Sequence, residues 1–143
     1  MKQVHATTLQ LDGKGVMLCG PSSSGKSDLG LRLIENGALL VADDRTNLSL
    51  DQNMVLASSP AEISGKIEVR GVGIINLKVI EKVQLALVVD LIEAVVVQRM
   101  PSEEKIDLLG IKLPLIRLYA FEASAPAKIR AALMYHVQKK SIL

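Results

Sequence analysis

Gly20-Pro21-Ser22-Ser23-Ser24-Gly25-Lys26-Ser27 matches G-x-x-x-x-G-K-[ST], the pattern of a phosphate-binding P-loop. The chemistry needs these residue types at this spacing. Glycines let the backbone wrap closely around phosphates, the N–H groups converge where a helix starts, Lys26 reaches the terminal phosphates, and Ser27 can ligate Mg²⁺. The flanks supply the context that the motif demands. Val16-Met17-Leu18-Cys19 reads as an apolar strand. Lys26 to Asn36 reads as a helix, with Leu29 and Leu33 on one face, Ile34 beside them, and Asp28, Arg32 and Glu35 turned outward. Gly37 stands where a left-handed C-terminal cap is wanted. The plain alternative, a glycine-rich turn with a solvated lysine, is disfavoured by this strand-loop-helix setting.

Working outward, Thr7, Leu9 and Leu11 alternate with Ala6, Thr8 and Gln10 as in a half-buried strand, and Asp12-Gly13-Lys14-Gly15 supplies hairpin chemistry. Downstream of the helix, Ala38-Leu39-Leu40-Val41-Ala42 is the continuous apolar run of a strand covered on both faces, and it ends in Asp43-Asp44. In a parallel sheet, C-terminal strand ends face the ligand crevice. One carboxylate there can hold metal while the other accepts a proton from an attacking hydroxyl. Neighbours on a strand point opposite ways, which favours separate roles, although a strand-ending Asp turn is the alternative. Glu68-Val69-Arg70-Gly71-Val72-Gly73-Ile74-Ile75-Asn76 brings an acid, a base and two glycines together before an apolar run. Gly71 and Gly73 equally suit a bulge or a turn.

Asn47–Leu50 and Met54–Ala57 read as a hairpin across Asp51-Gln52-Asn53. Ser59-Pro60-Ala61-Glu62 predicts a short helical turn capped by Ser59. Strand-like runs continue at Ile67–Val69, Ile74–Ile80 and Leu85–Val97, the polar segment 99–112 reads as a mobile loop, and a helix is expected from Ala125 to about Lys139 with Ser124 as cap. The whole, residues 1–143, is of one-domain size. Its 49% hydrophobic and 22% charged content is that of a globular protein.

Tyr119, Phe121 and Tyr135 are the only aromatics, so the core must be aliphatic. That argues against single-stranded nucleic-acid binding, and 17 basic against 15 acidic residues leave a net charge of only +2, far from the footprint of a duplex binder. Val83–Val97, interrupted by Gln84, Asp90 and Glu93, is too short and too charged to cross a membrane. The lone Cys19 and a start without signal-peptide features fit a reducing, cytoplasmic setting.

Taken together, Val4-His5-Ala6, the P-loop ending Gly25-Lys26-Ser27, Leu40–Asp44 and Ile67–Asn76 resemble the catalytic domain of the HPr kinase/phosphorylase family. The likeness runs in order from His5 to Asn76, is loose from Leu77 to Leu109, and then fades. It implies an α/β P-loop kinase fold of the HPr kinase/PEP carboxykinase-like type, with a mixed central sheet, the P-loop helix and a C-terminal helix. It also implies an ATP- and Mg²⁺-dependent enzyme that phosphorylates a serine of HPr, a small phosphocarrier of sugar-uptake systems, and that can run phosphorolytic dephosphorylation at the same site. Carried over, Lys26 neutralises the transferring phosphate, Ser27, Glu68 and Asp44 are the candidate Mg²⁺ ligands, and the Asp43/Asp44 pair supplies the base. Arg70 and Gly71 belong to the same catalytic strand. His5 matches the histidine of an early His-Gly pair with Ala6 in place of the glycine, and a half-buried structural histidine is the alternative. Arg99 falls near an arginine of the mobile substrate loop. A homo-oligomer, by resemblance a hexamer, is implied as well.

The sequence departs from the family in three places. It looks like the catalytic domain without the family's N-terminal domain. Lys78–Lys82 stands where a glycine-rich stretch is expected. The Pro- and Arg-containing segment associated with phosphorolysis has no counterpart in Leu118–Ala123, so kinase chemistry is expected ahead of phosphorylase chemistry. A nucleotide-binding regulatory module without phosphotransfer and a small-metabolite P-loop kinase are the competing functions. On this reading none of the three aromatics takes part in the chemistry.

Overall fold

Three two-residue turns, Asp12-Gly13, Gln52-Asn53 and Leu109-Gly110, set the antiparallel pairings; all six residues have positive φ, the twist that lets paired strands continue. In the computed structural model, which describes residues 1–137, the first turn joins β1 (Lys2–Leu11) to β2 (Lys14–Cys19). The P-loop follows, then α1 (Lys26–Glu35). Its end is sealed as foreseen: Gly37 (φ 102) donates to Ile34 O at 3.0 Å and Ala38 to Leu33 O at 3.0 Å. The chain continues as β3 (Leu39–Ala42), β4 (Arg45–Asp51), β5 (Met54–Ser58), a separate two-stranded hairpin β6 (Lys66–Val69) and β7 (Gly73–Asn76), then β8 (Lys82–Leu91), β9 (Glu104–Leu108), β10 (Ile111–Leu118) and α2 (Ala125–Ala132).

The eight-stranded sheet is mixed. β2 runs parallel to β8, and β8 parallel to β10. β1 is antiparallel to both β2 and β3, so β3 points the same way as β2. The C-terminal ends of β2, β3, β8 and β10 therefore share one edge of the sheet, and the P-loop, Asp43-Asp44 and residues 119–121 all issue from it. The pairings β1–β4–β5–β8–β2–β1 also close on themselves. That curvature makes two cores. Leu9, Leu18, Leu29, Leu33, Leu87, Val89 and Ile129 pack between the sheet and the helices. Ala6, Met17, Val41, Leu48, Val55, Leu85 and Val88 fill the other side. Among the described residues no aromatic is part of either buried core, as the composition requires.

Several expectations need correction. Segment 99–112 is not one loop: from Glu104 onward it is β9, the turn and the start of β10, and its charges sit on an edge strand, where they are the usual protection of unpaired backbone. The strand expected to reach Val97 ends at Leu91; a 3₁₀ turn at Ala94–Val96 follows, with Val95 exposed. β7 stops at Asn76 rather than Ile80. Ser59 is no cap, since its hydroxyl donates to Pro60 O at 2.9 Å and the turn starts at Ala61. Ser124 occupies the N-cap position of α2 without a side-chain bond. α2 ends at Ala132 and passes into a π-helical turn, Leu133–Val137; the expected end near Lys139 lies outside the described residues.

Candidate functional site

The Asp43-Asp44 pair follows the end of β3, as expected, and forms a sharp bend into β4. β3 and β4 both pair with β1, with Ala42 opposite Thr8 and Arg45 opposite His5. At the kink Arg45 N–H donates to Asp43 O at 2.7 Å, and Asp44 takes φ 68, a left-handed conformation that Asp tolerates better than most residues. The kink separates the two carboxylates, one into the protein and one into solvent.

Asp43 is buried, 6% exposed. Its Oδ1 accepts the Ser27 hydroxyl at 2.6 Å and the Thr7 hydroxyl at 3.0 Å, and its Oδ2 accepts Glu68 N–H at 3.1 Å. Thr7 Oγ1 in turn accepts Asp44 N–H at 3.1 Å. A buried carboxylate is tolerable because three donors satisfy it. Asp44 is 60% exposed at its side chain, with Oδ1 3.7 Å from His5 Nδ1.

Beside them the P-loop meets α1. Gly25, at φ 97, precedes the helix without a side-chain cap, and the first intrahelical bond is Leu29 N–H to Gly25 O at 2.8 Å. The earlier N–H groups of the helix are thus left for an anionic guest. Lys26, only 7% exposed, folds onto its own loop and donates to Gly20 O at 2.8 Å and Pro21 O at 3.1 Å. Ser23 adopts φ 68, and the buried Ser24 Oγ has no hydrogen-bond partner.

A cleft of about 360 Å³ gathers these groups, lined by Ser22, Ser23, Gly25, Lys26 and Ser27 of the P-loop together with Asp44, Glu68 and Arg70. Asp28, Leu31, Val69 and Phe121 complete it. The β6–β7 hairpin thus carries Glu68 and Arg70 to the site, while Gly71 (φ 88) serves its turn. Arg99 does not line the cleft. Its neighbours Gln98 and Met100 line a separate cavity of about 470 Å³ with Arg117, Tyr135 and His136.

Two participants escaped the sequence reading. Thr7 is legible as strand but not as a partner of Asp43; what marks it is its complete burial, which the sequence does not disclose. Phe121 carries no chemical signal in the sequence, and its place in the cleft depends on how β10 is packed.

The family model described as "HPr Serine kinase C-terminal domain" matches residues 1–142. The chain belongs to that family. It is 36% identical to the HPr kinase/phosphorylase of Streptococcus agalactiae over 150 residues, covering 96% of this chain and 48% of the relative. It is also 36% identical to the enzyme of that name from Streptococcus salivarius over 127 residues, covering 80% of this chain and 41% of the relative. The chain spans about half the length of the curated relatives it matches. The Hpr(Ser) kinase/phosphatase from Coxiella burnetii superimposes with a TM-score of 0.87 at 28% identity, covering 97% of this chain and 92% of that one. The α/β fold with a mixed sheet is therefore that of the HPr serine kinase C-terminal domain. Among the described residues, no helix is long and apolar enough to cross a membrane.

Proposed function

We propose that this domain transfers the γ-phosphoryl group of ATP to a serine hydroxyl of an HPr-type phosphocarrier protein. The observation that carries this reading is the division of the aspartate pair. Asp43 is spent on Ser27 and Thr7, whereas Asp44 stands in the open cleft with Lys26 and Glu68.

The residues fit both ATP and Mg²⁺. Lys26 now uses loop carbonyls as partners that phosphate oxygens can replace, and the helix N–H groups and the orphan Ser24 hydroxyl suit an anion. Ser27 and Glu68, both lining the cleft, offer hard oxygen donors of the kind Mg²⁺ takes, one or two carboxylates beside substrate phosphates being its usual share. When bound, Mg²⁺ supplies positive charge to the phosphate oxygens. Lys26 holds the terminal phosphates and stabilises the charge that develops on them. Asp44 accepts the proton as the serine oxygen bonds to the γ-phosphorus and the bond to the β-phosphate oxygen breaks, releasing ADP. His5 Nδ1 stands 3.7 Å from Asp44 Oδ1, beside the proposed base but beyond hydrogen-bond reach. In the reverse direction the protonated Asp44 returns the proton, as microscopic reversibility requires.

The test is incubation of the protein with γ-labelled ATP, Mg²⁺ and an HPr-type carrier. Label on a carrier serine is expected. Nucleotide binding without any transfer would replace the proposal with a regulatory module, and label on a small molecule would replace it with a metabolite kinase.

A further inference from the structure

The lining of the cleft is chemically mixed. Ser22, Ser23, Lys26 and Ser27 are polar and suited to phosphate, whereas Leu31, Val69 and Phe121 are apolar. Phe121 is the unusual member, because it is 53% exposed in a protein whose core is otherwise aliphatic. It is also firmly held. The carbonyls on both sides of it, Ala120 O and Glu122 O, accept from the two terminal nitrogens of Arg32, the second at 3.2 Å. Arg32 is itself fixed on α1 by Nε–H donation to Asp28 Oδ2 at 3.1 Å. Tyr119 meets the Phe121 ring edge-on, with centroids 5.7 Å apart. The ring also lies against the P-loop backbone, since a Cβ on Gly25 would come within 2.9 Å of Phe121 Cζ and 2.8 Å of Ala120 Cβ. An exposed aromatic face pinned beside a phosphate loop offers a flat apolar surface to a group carried on those phosphates.

We propose that Phe121 is the platform on which the base of the bound nucleotide stacks, and that Arg32 positions it. This rests on the reading of the cleft as a nucleotide site. An aromatic face accepts any nucleobase, because every base has a π-face. The platform therefore distinguishes a nucleoside triphosphate from the bare phosphate chain rather than one base from another.

The experiment compares the affinities of ATP and inorganic tripolyphosphate, each with Mg²⁺, for the unaltered protein, Phe121→Ala, Phe121→Trp and Arg32→Gln. Loss of one stacked base weakens binding by about tenfold. Phe121→Ala should therefore weaken ATP by that factor and leave tripolyphosphate within about twofold. Phe121→Trp should keep ATP affinity and, in a chain with no other Trp, show fluorescence quenched by ATP but not by tripolyphosphate. Arg32→Gln should reproduce the ATP-selective loss; an unchanged ATP affinity would remove Arg32 from the proposal. Equal losses of both ligands in Phe121→Ala, no loss of either, or quenching by tripolyphosphate as strong as by ATP would overturn the stacking role while leaving the nucleotide site in place. Failure of the unaltered protein to bind either ligand would overturn the nucleotide reading and the stacking role together.

Discussion

The two walls of the cleft are built by different means. The phosphate wall and its aspartates come from residues 5–44, one run of strand, loop, helix and strand in which Thr7, Ser27 and Asp43 meet through neighbouring elements. The Phe121 wall comes from the far end of the chain. It reaches the site only because β10 lies parallel to β8 and β8 parallel to β2, which puts Leu118 beside Leu91 and Cys19 beside Asp90. The first wall is a motif whose spacing contains its geometry, whereas the second is a consequence of sheet order and of the Arg32 hydrogen bonds across 88 and 90 residues of sequence. In the proposed reading, chemistry is concentrated in the first wall and ligand shape in the second.

Substitutions can separate the two contributions. Lys26→Ala removes the cation that the phosphates meet, so phosphoryl transfer should fall by about 10³-fold, measured in single turnovers with labelled ATP. Retention of most of the rate would dissolve the phosphate wall as described. Asp44→Asn should lower kcat by at least about 10²-fold with little change in thermal stability, since Asp44 is exposed and, in the proposed mechanism, removes a proton rather than holding the fold. Asp43→Asn differs in kind, because an amide cannot accept at both positions that now face donors. A cost of about 1–3 kcal/mol is expected, with Tm lowered by roughly 5 °C in a melting curve. If the two variants melt alike, the division between buried and open aspartate is wrong.

Gly25 is where the walls touch. Its φ of 97 disfavours any side chain, and an added Cβ would strike Ala120 and Phe121. Gly25→Ala should therefore disturb both walls at once, at a strain cost of about 1–3 kcal/mol. Titration should show weaker binding of ATP and of tripolyphosphate together, in contrast to the ATP-selective loss expected of Phe121→Ala. Selective loss in Gly25→Ala would mean that the P-loop tolerates the methyl and only the aromatic wall yields.

The same contrast explains what the sequence disclosed. The P-loop, α1 with its Gly37 cap and the first two hairpins were legible because each rests on residues close together, whose periodicity and turn chemistry are local. The hairpin that carries Glu68 and Arg70 was legible as two short strands about a glycine turn, whereas their place beside the P-loop came only through the family likeness. The end of β3 at Asp43-Asp44 was legible, but the bend at Asp44, which returns the chain to β1 as β4, was not, since nothing local announces a positive φ there. β9 was missed because an edge strand carries charges where an inner strand carries valines, so Glu104-Lys105 reads as loop. Arg99 was assigned by position along the chain, and position does not fix which cavity a segment borders. Phe121 could be placed only after the order β2-β8-β10 was known.

The smallest expected effect lies at the junction of β2 and the P-loop. Burial, reinforced by the nearby Asp90 carboxylate and partly offset by Lys26, pushes the Cys19 thiol up to about 11. Folding thus favours the protonated thiol. The associated stability is fully present below the ordinary thiol range, near pH 8.5, and is lost as pH climbs toward 11. Since the thiolate is the nucleophile, a disulfide reagent should label native Cys19 slowly at pH 8, with a rate that rises about tenfold per pH unit, and label the urea-unfolded chain quickly. Lys26→Ala removes the one influence that lowers this pKa, so labelling should slow further in that variant even though the phosphate site is emptied of its cation. Faster labelling there would mean that Lys26 acts on Cys19 by closing the loop over it rather than through its charge.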